Sequence, residues 1–163
     1  AAVADACAEA GIDGLITVDL PPEEVTAMNA ELRRQKIDNI FLISPTTSDA
    51  RITTITAQAS GFIYYVALKG VTGAGHLDTD AVEAHLETIR QHTSLPVAVG
   101  FGIKDADTAA TLARCADAVV VGSALVELVA NDLGTDGSYD SAISGAHSLI
   151  SSIRNGVNLA TSN

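Results

Sequence analysis

The chain has 163 residues, 47% of them hydrophobic, enough for one domain with a real core. Its formal charge of −11, from 20 carboxylates against 9 Lys and Arg, argues against nucleic-acid binding and against attraction to an anionic membrane, both of which need clustered cations. No run is long and apolar enough to span a bilayer, and the N-terminus carries no basic-then-apolar signal pattern. Cys7 and Cys115 have no CxxC partner and no His at ligand spacing, so they read as reduced thiols of a cytosolic protein. Ala1 opens directly into a helical pattern without an initiator Met, which leads us to expect the beginning of the protein elsewhere.

Residues 1–10 are Ala-rich and helical, and Gly11 stands where a left-handed cap is expected. Residues 14–19 (GLITVD) read as a buried strand, followed by Pro21-Pro22 and by Glu23 and Glu24 in the first turn of a helix that runs to about Gln35. A second strand covers 39–43 (NIFLI). The loop 44–49 leads into a helix over 49–59, and a third strand covers 61–67 (GFIYYVA). A glycine-rich loop over 68–76 precedes a helix at 78–92 capped by Asp78 or Thr79. The fourth strand is 95–99, then a helix at 105–115, the fifth strand at 118–121, a short helix from about Ala124 and a last helix over roughly 138–154. Residues 156–163 read as a frayed tail.

Strand and helix alternate without a linker or low-complexity break, which predicts βαβ units, a parallel sheet and a single domain over 1–163. Three strands in succession end in glycine turns: Lys69-Gly70-Val71-Thr72-Gly73, Gly100-Phe101-Gly102-Ile103 and Gly122-Ser123-Ala124. Ligands of parallel α/β proteins sit at the carboxyl ends of the strands, and glycine lets backbone N–H groups approach an anion. The helix after Gly122-Ser123 points its positive end at the same place. Any one of these turns reads as a tight connection and no more. Three at equivalent ends point to a phosphate site.

The runs GFIYYVALKGVTGAG, LPVAVGFGIKD and ADAVVVGSALVELV, in this order and spacing, resemble the alpha subunit family of tryptophan synthase. GIDGLITVDLPPEE is similar to that family's fourth strand, and FLISPTTSDARI to its fifth. The resemblance covers nearly the whole chain and implies an α/β fold, a partial (β/α)8 TIM barrel with about five parallel strands. A complete barrel of this kind takes about 250 residues.

The family cleaves indole-3-glycerol phosphate to indole and glyceraldehyde 3-phosphate by a retro-aldol step, without metal or other cofactor, in the cytoplasm, and assembles with a beta chain as alpha2beta2. The resemblance implies that Gly73, Gly102, Gly122 and Ser123 hold the phosphate through backbone N–H groups, which needs no Lys or Arg. Tyr64 matches the substrate-facing tyrosine, with barrel-interior packing as its plainer alternative; strand alternation places Phe62 on its face and Tyr65 on the other. Ile16 and Phe101 match positions that pack on the indole ring, or are ordinary core. Gly70, Thr72 and Gly75 fall in the family's mobile loop, or in a plain surface loop.

The family's acid/base glutamate and its helper aspartate belong to the second strand and the loop after it, and no residue of this sequence matches them. Asp19, at the end of a strand, matches a position facing that loop and the beta chain, which makes a structural or interface role the expected one. Glu83 and Glu87 are four apart on a helix and read as a solvated face. The four histidines have no ligand-spaced partners, and no Gly-x-Ser-x-Gly elbow or Cys–His pair occurs. Two alternatives to the lyase reading are another phosphate-binding barrel enzyme, such as a phosphosugar isomerase, and a non-catalytic module that binds phosphate or the beta chain. For this chain alone, the non-catalytic reading is preferred to independent catalysis.

Overall fold

Runs of β-branched and apolar residues are cut at regular intervals by Gly, Pro, Asp and Ser, and the chain answers with short strands separated by helices. The structure, a computed structural model, describes residues 1–67, 78–100, 102–135 and 138–162. Helix α1 (Ala2–Glu9) stops where Gly11 adopts φ +71°. There the Gly11 N–H bonds the Ala8 carbonyl at 3.1 Å and the Ile12 N–H bonds Cys7 at 2.9 Å, the paired closure of a Schellman cap.

Five strands lie in one sheet in chain order: β1 (Gly14–Ile16), β2 (Asp38–Ile43), β3 (Ile63–Val66), β4 (Val97–Gly100) and β5 (Ala118–Val120). β1 pairs with β2, and β2 with β3, in parallel. The Ile63 N–H to Pro96 bond (2.9 Å) and the Ala67 N–H to Gly100 bond (3.2 Å) carry the ladder on to β4. Parallel neighbours require crossovers. These are α2 (Thr26–Arg34), α3 (Asp49–Gln58), α4 (Thr79–Arg90) and α5 (Ala106–Ala113), followed after β5 by α6 (Ser123–Thr135) and α7 (Tyr139–Thr161). The result is a partial α/β fold of the TIM-barrel type.

The described chain divides into two compact units. The first is Ala1–Val66 with Ala84–Ala98; the second holds the described residues of Ala67–Glu83 and Val99–Asn163. In the first unit the sheet has two distinct faces. Register places Leu15 opposite Asn39, Phe41 opposite Ile63 and Ile43 opposite Tyr65; of these Asn39, Phe41, Ile43, Ile63 and Tyr65 are buried. Ile40, Leu42 and Tyr64 alternate to the other face, together with Ile16. Tyr65 stacks on His85 of α4 with ring centroids 5.9 Å apart, which identifies its face as the helix-covered one. In the second unit α7 packs along α5 and α6.

Two expectations are corrected. The tail expected to fray from Gly156 is helical through Thr161, because Gly156 is buried against the backbone of Ala106. The helix expected to begin at the prolines begins at Thr26 instead. The Glu24 N–H turns back to the Pro21 carbonyl at 2.9 Å, and residues 22–24 form a separate turn.

Candidate functional site

β3 carries the tyrosine singled out by sequence. Phe62, Tyr64 and Val66 are half-buried while Ile63, Tyr65 and Ala67 are buried, the period-two pattern of a strand with one helix-covered face. Tyr64 therefore sits on the face opposite α4, beside Leu42 across the β2–β3 ladder. Ile16, the last residue of β1, lies on that same face and is 46% exposed. The structure thus puts the expected indole-packing residue and the expected substrate-facing tyrosine on one side of the sheet. Burial pushes the Tyr65 phenol up from its ordinary value, as its helix-side position requires.

Asp19 is exposed in the bend that follows β1. With Thr17, Val18, Pro21, Pro22 and Arg51 it walls a depression of about 350 Å³ at the carboxyl ends of β1 and β2. Arg51 on α3 pairs with Glu23 across this rim. Nothing in their residue types marks Thr17 and Arg51 in the sequence. An isolated Thr just past a strand and an isolated Arg in a helix carry no local signal of the chain bend that brings them together.

The second unit carries the turns expected to hold an anion. Gly102 follows β4 with φ +39°, in left-handed space, and a Cβ there would meet nothing within 4 Å. The turn after β5 is set by Gly122, whose carbonyl accepts the N–H groups of Leu125 (3.0 Å) and Val126 (3.1 Å) and so closes the first turn of α6. The N–H groups of Ser123 and Ala124 precede that closure, at the positive end of a helix of 13 residues. Gly122 and Ser123 are both exposed. α5 opens on Asp105, whose carboxylate accepts the Thr108 N–H at 2.8 Å. That backbone bond holds its pKa below the ordinary value.

The expectations for Gly70, Thr72, Gly73, Gly75 and Phe101 lie outside the described residues. Among the described residues no three His, Cys, Asp or Glu side chains gather at metal-binding distance, and no helix is long and apolar enough to cross a membrane.

A family model described as tryptophan synthase alpha chain matches residues 2–151. The tryptophan synthase alpha chain of Thioalkalivibrio sulfidiphilus is 60% identical over 129 residues, 79% of this chain and 48% of that protein. The alpha chain of Polaromonas naphthalenivorans is 49% identical over 147 residues, covering 90% of this chain and 52% of its own length. The crystal structure of tryptophan synthase subunit alpha from Legionella pneumophila str. Paris superposes with a TM-score of 0.83 at 34% identity, over 96% of this chain and 56% of that one. The chain therefore spans about half the length of the relatives it matches. On a match that runs through its strands, its glycine turns and most of its length, the chain belongs to the tryptophan synthase alpha chain family.

Proposed function

We propose that this chain supplies the phosphate-holding part of an alpha-type tryptophan synthase barrel, in the cytoplasm, for the retro-aldol cleavage of indole-3-glycerol phosphate to indole and glyceraldehyde 3-phosphate. The observation that carries the reading is the Gly122-Ser123 turn at the N-terminus of α6. Backbone N–H groups and the helix dipole there suit a phosphate without Lys or Arg. That fits a chain with a formal charge of −11. Gly102 on the β4 turn supports the same anion, and Gly73 joins them by the family's pattern. Tyr64 and Ile16 face the indole-glycerol portion, Phe101 adds an aromatic contact, and the loop bearing Gly70, Thr72 and Gly75 closes over the ligand. Asp19 and the depression it walls meet the beta chain.

No carboxylate of this sequence matches the family's acid/base positions. That favours a second reading for the chain by itself, in which it binds phosphate or the beta chain without turning substrate over. Asp19 is exposed and no second carboxylate is among the residues lining its depression, which makes it a poor substitute base.

The deciding experiment measures turnover of indole-3-glycerol phosphate by the purified chain, with and without beta chain, beside calorimetric titration with inorganic phosphate. A folded chain that binds phosphate without turnover supports the proposal and its second reading together. A folded chain that binds neither phosphate nor the substrate overturns both.

A further inference from the structure

The first unit holds a buried line of side-chain amides that the family resemblance does not explain. Asn39 and Asn29 are 2% and 3% exposed, on β2 and α2. The Thr17 hydroxyl donates to Asn39 Oδ1 at 3.1 Å, and Asn39 Nδ2 donates to Asn29 Oδ1 at 2.7 Å. Asn29 Nδ2 donates to the backbone oxygen of Gln58 at 2.9 Å and to its Oε1 at 3.2 Å.

The direction of this line is forced from its far end. A backbone carbonyl can only accept, so Asn29 must turn its amide nitrogen to Gln58 and its oxygen to Asn39. Asn39 must then offer its nitrogen to Asn29, which leaves its oxygen for Thr17. Residue 17 therefore has to bring a donor to this bond, which the Thr hydroxyl does. Asn39 is itself fixed at the backbone, its N–H bonding Ser60 Oγ and its carbonyl accepting the Ser60 N–H, both at 3.0 Å.

We infer that Asn39 is a positioning residue: through the one-way relay Gln58–Asn29–Asn39–Thr17 it holds segment 16–19 in place at the end of β1. Three observations lead there. Among the described strands β1 is paired on one side only, and its register with β2 ends at Ile16 opposite Ile40. The Thr17 hydroxyl carries the tie one residue beyond that last pair. Because Thr17 is held toward the helix side, Ile16 and Val18 are turned to the opposite face, where they are 46% and 70% exposed. The relay thus sets which residues β1 presents on Tyr64's face, and it sets the path into Asp19. Its bearing on substrate rests on the proposed function; its bearing on segment 16–19 does not.

The test uses the purified chain with Thr17→Val, Thr17→Ser and Asn39→Asp. Amide hydrogen exchange at residues 16–20 is read beside the thermal midpoint, and indole-3-glycerol phosphate and inorganic phosphate are titrated separately. Thr17→Val keeps shape and removes the donor. It raises exchange at 16–20 by about tenfold, the worth of one buried hydrogen bond, with exchange in β3 unchanged. Thr17→Ser restores the wild-type rate. Asn39→Asp, whose carboxylate cannot donate to Asn29, loosens the segment at least as much at neutral pH. Indole-3-glycerol phosphate affinity falls in Thr17→Val and returns in Thr17→Ser, while inorganic phosphate affinity stays constant. Unchanged exchange at 16–20 in Thr17→Val, or a Thr17→Ser variant that behaves like Thr17→Val, overturns the inference. If Asn39→Asp does not fold, the Thr17 pair decides alone. Failure of the wild-type chain to bind indole-3-glycerol phosphate counts against the proposed function, and the exchange arm still judges the relay.

Discussion

A Cβ on Gly156 would lie 2.4 Å from the backbone oxygen of Ala106. α7 thus approaches α5 at a point where only hydrogen fits. Helix propensity alone predicts that Ala at a mid-helix glycine stabilises by about 1 kcal/mol. Here the obstacle is backbone, which cannot swing aside, so overpacking costs about 1–3 kcal/mol and wins. Gly156→Ala should lower the urea midpoint. Gly145 on the same helix makes the comparison: its Cβ would meet Leu128 Cδ2 at 2.9 Å and Asp132 Oδ2 at 3.0 Å, both ends of side chains that can rotate. Gly145→Ala should be near neutral. Equal losses at the two positions would show that the α5 contact is not what requires glycine.

Lys36 ends α2 in left-handed space, φ 59°. Its N–H bonds Arg33 at 3.1 Å and the Ile37 N–H bonds Leu32 at 2.9 Å, the same paired closure that Gly11 makes after α1. A side chain there carries a strain of about 1 kcal/mol, held by the burial of Leu32 and Ile37. Lys36→Gly removes the strain at some cost in unfolded-state entropy. A net gain of about 0.5 kcal/mol is expected, read as a higher thermal midpoint. A lower midpoint would mean that the Lys36 stem contributes packing that exceeds its strain.

The contrast between Gly11 and Lys36 shows what could be read from the residues and what could not. Gly11 announced its cap by its type, and the βα alternation, the faces of Tyr64 and Tyr65, and the Gly122-Ser123 turn were legible for the same reason: each is a local pattern of period or of glycine placement. Lys36 adopts its conformation because Leu32 and Ile37 are drawn into the core, a tertiary cause with no local mark. Gly156 reads as a stop, and it is instead a crossing point within a longer helix. Asn29 and Asn39 are indifferent residue types in their own elements, and their relay exists only once α2 lies on β2. For the candidate site, the turns at Gly102 and Gly122 are legible from glycine placement, while the tie on Thr17 and the placement of Arg51 beside Asp19 required the fold.

Asp105 gives a pH-dependent term with a definite sign. Its carboxylate caps α5 through the Thr108 N–H, which lowers its pKa from an ordinary 3.8. A carboxylate depressed on folding contributes stability that is present above its unfolded pKa and is lost as pH falls through the folded value. Asp105→Ala should therefore cost about 1 kcal/mol at neutral pH, and the difference from wild type should shrink in acid below 3.8. Asp105→Asn keeps an acceptor, so it should retain most of the cap at neutral pH and flatten the acid limb. Urea unfolding of the three proteins across that range is the measurement. A wild-type minus Ala difference that persists unchanged in acid would assign the cap to something other than the ionised carboxylate.

Ser123→Asp separates the two roles that the α6 N-terminus is asked to play. A carboxylate in the first turn interacts favourably with the helix dipole, worth about 0.3–1 kcal/mol at an exposed position. Ser123 is exposed, so the substitution meets no packing barrier and folding stability should rise slightly. The same charge occupies the place where a phosphate would meet the Ser123 and Ala124 N–H groups, and it repels a dianion there. Phosphate affinity should fall by at least tenfold while the thermal midpoint holds or increases. Ser123→Ala, which removes only the hydroxyl, should change phosphate affinity by a few-fold at most, since the backbone supplies the main contacts. Destabilised variants often lose affinity simply by unfolding, and the opposite signs expected for Ser123→Asp exclude that explanation. Phosphate binding left intact in Ser123→Asp would move the anion site away from α6, and with it the observation on which the proposed function stands.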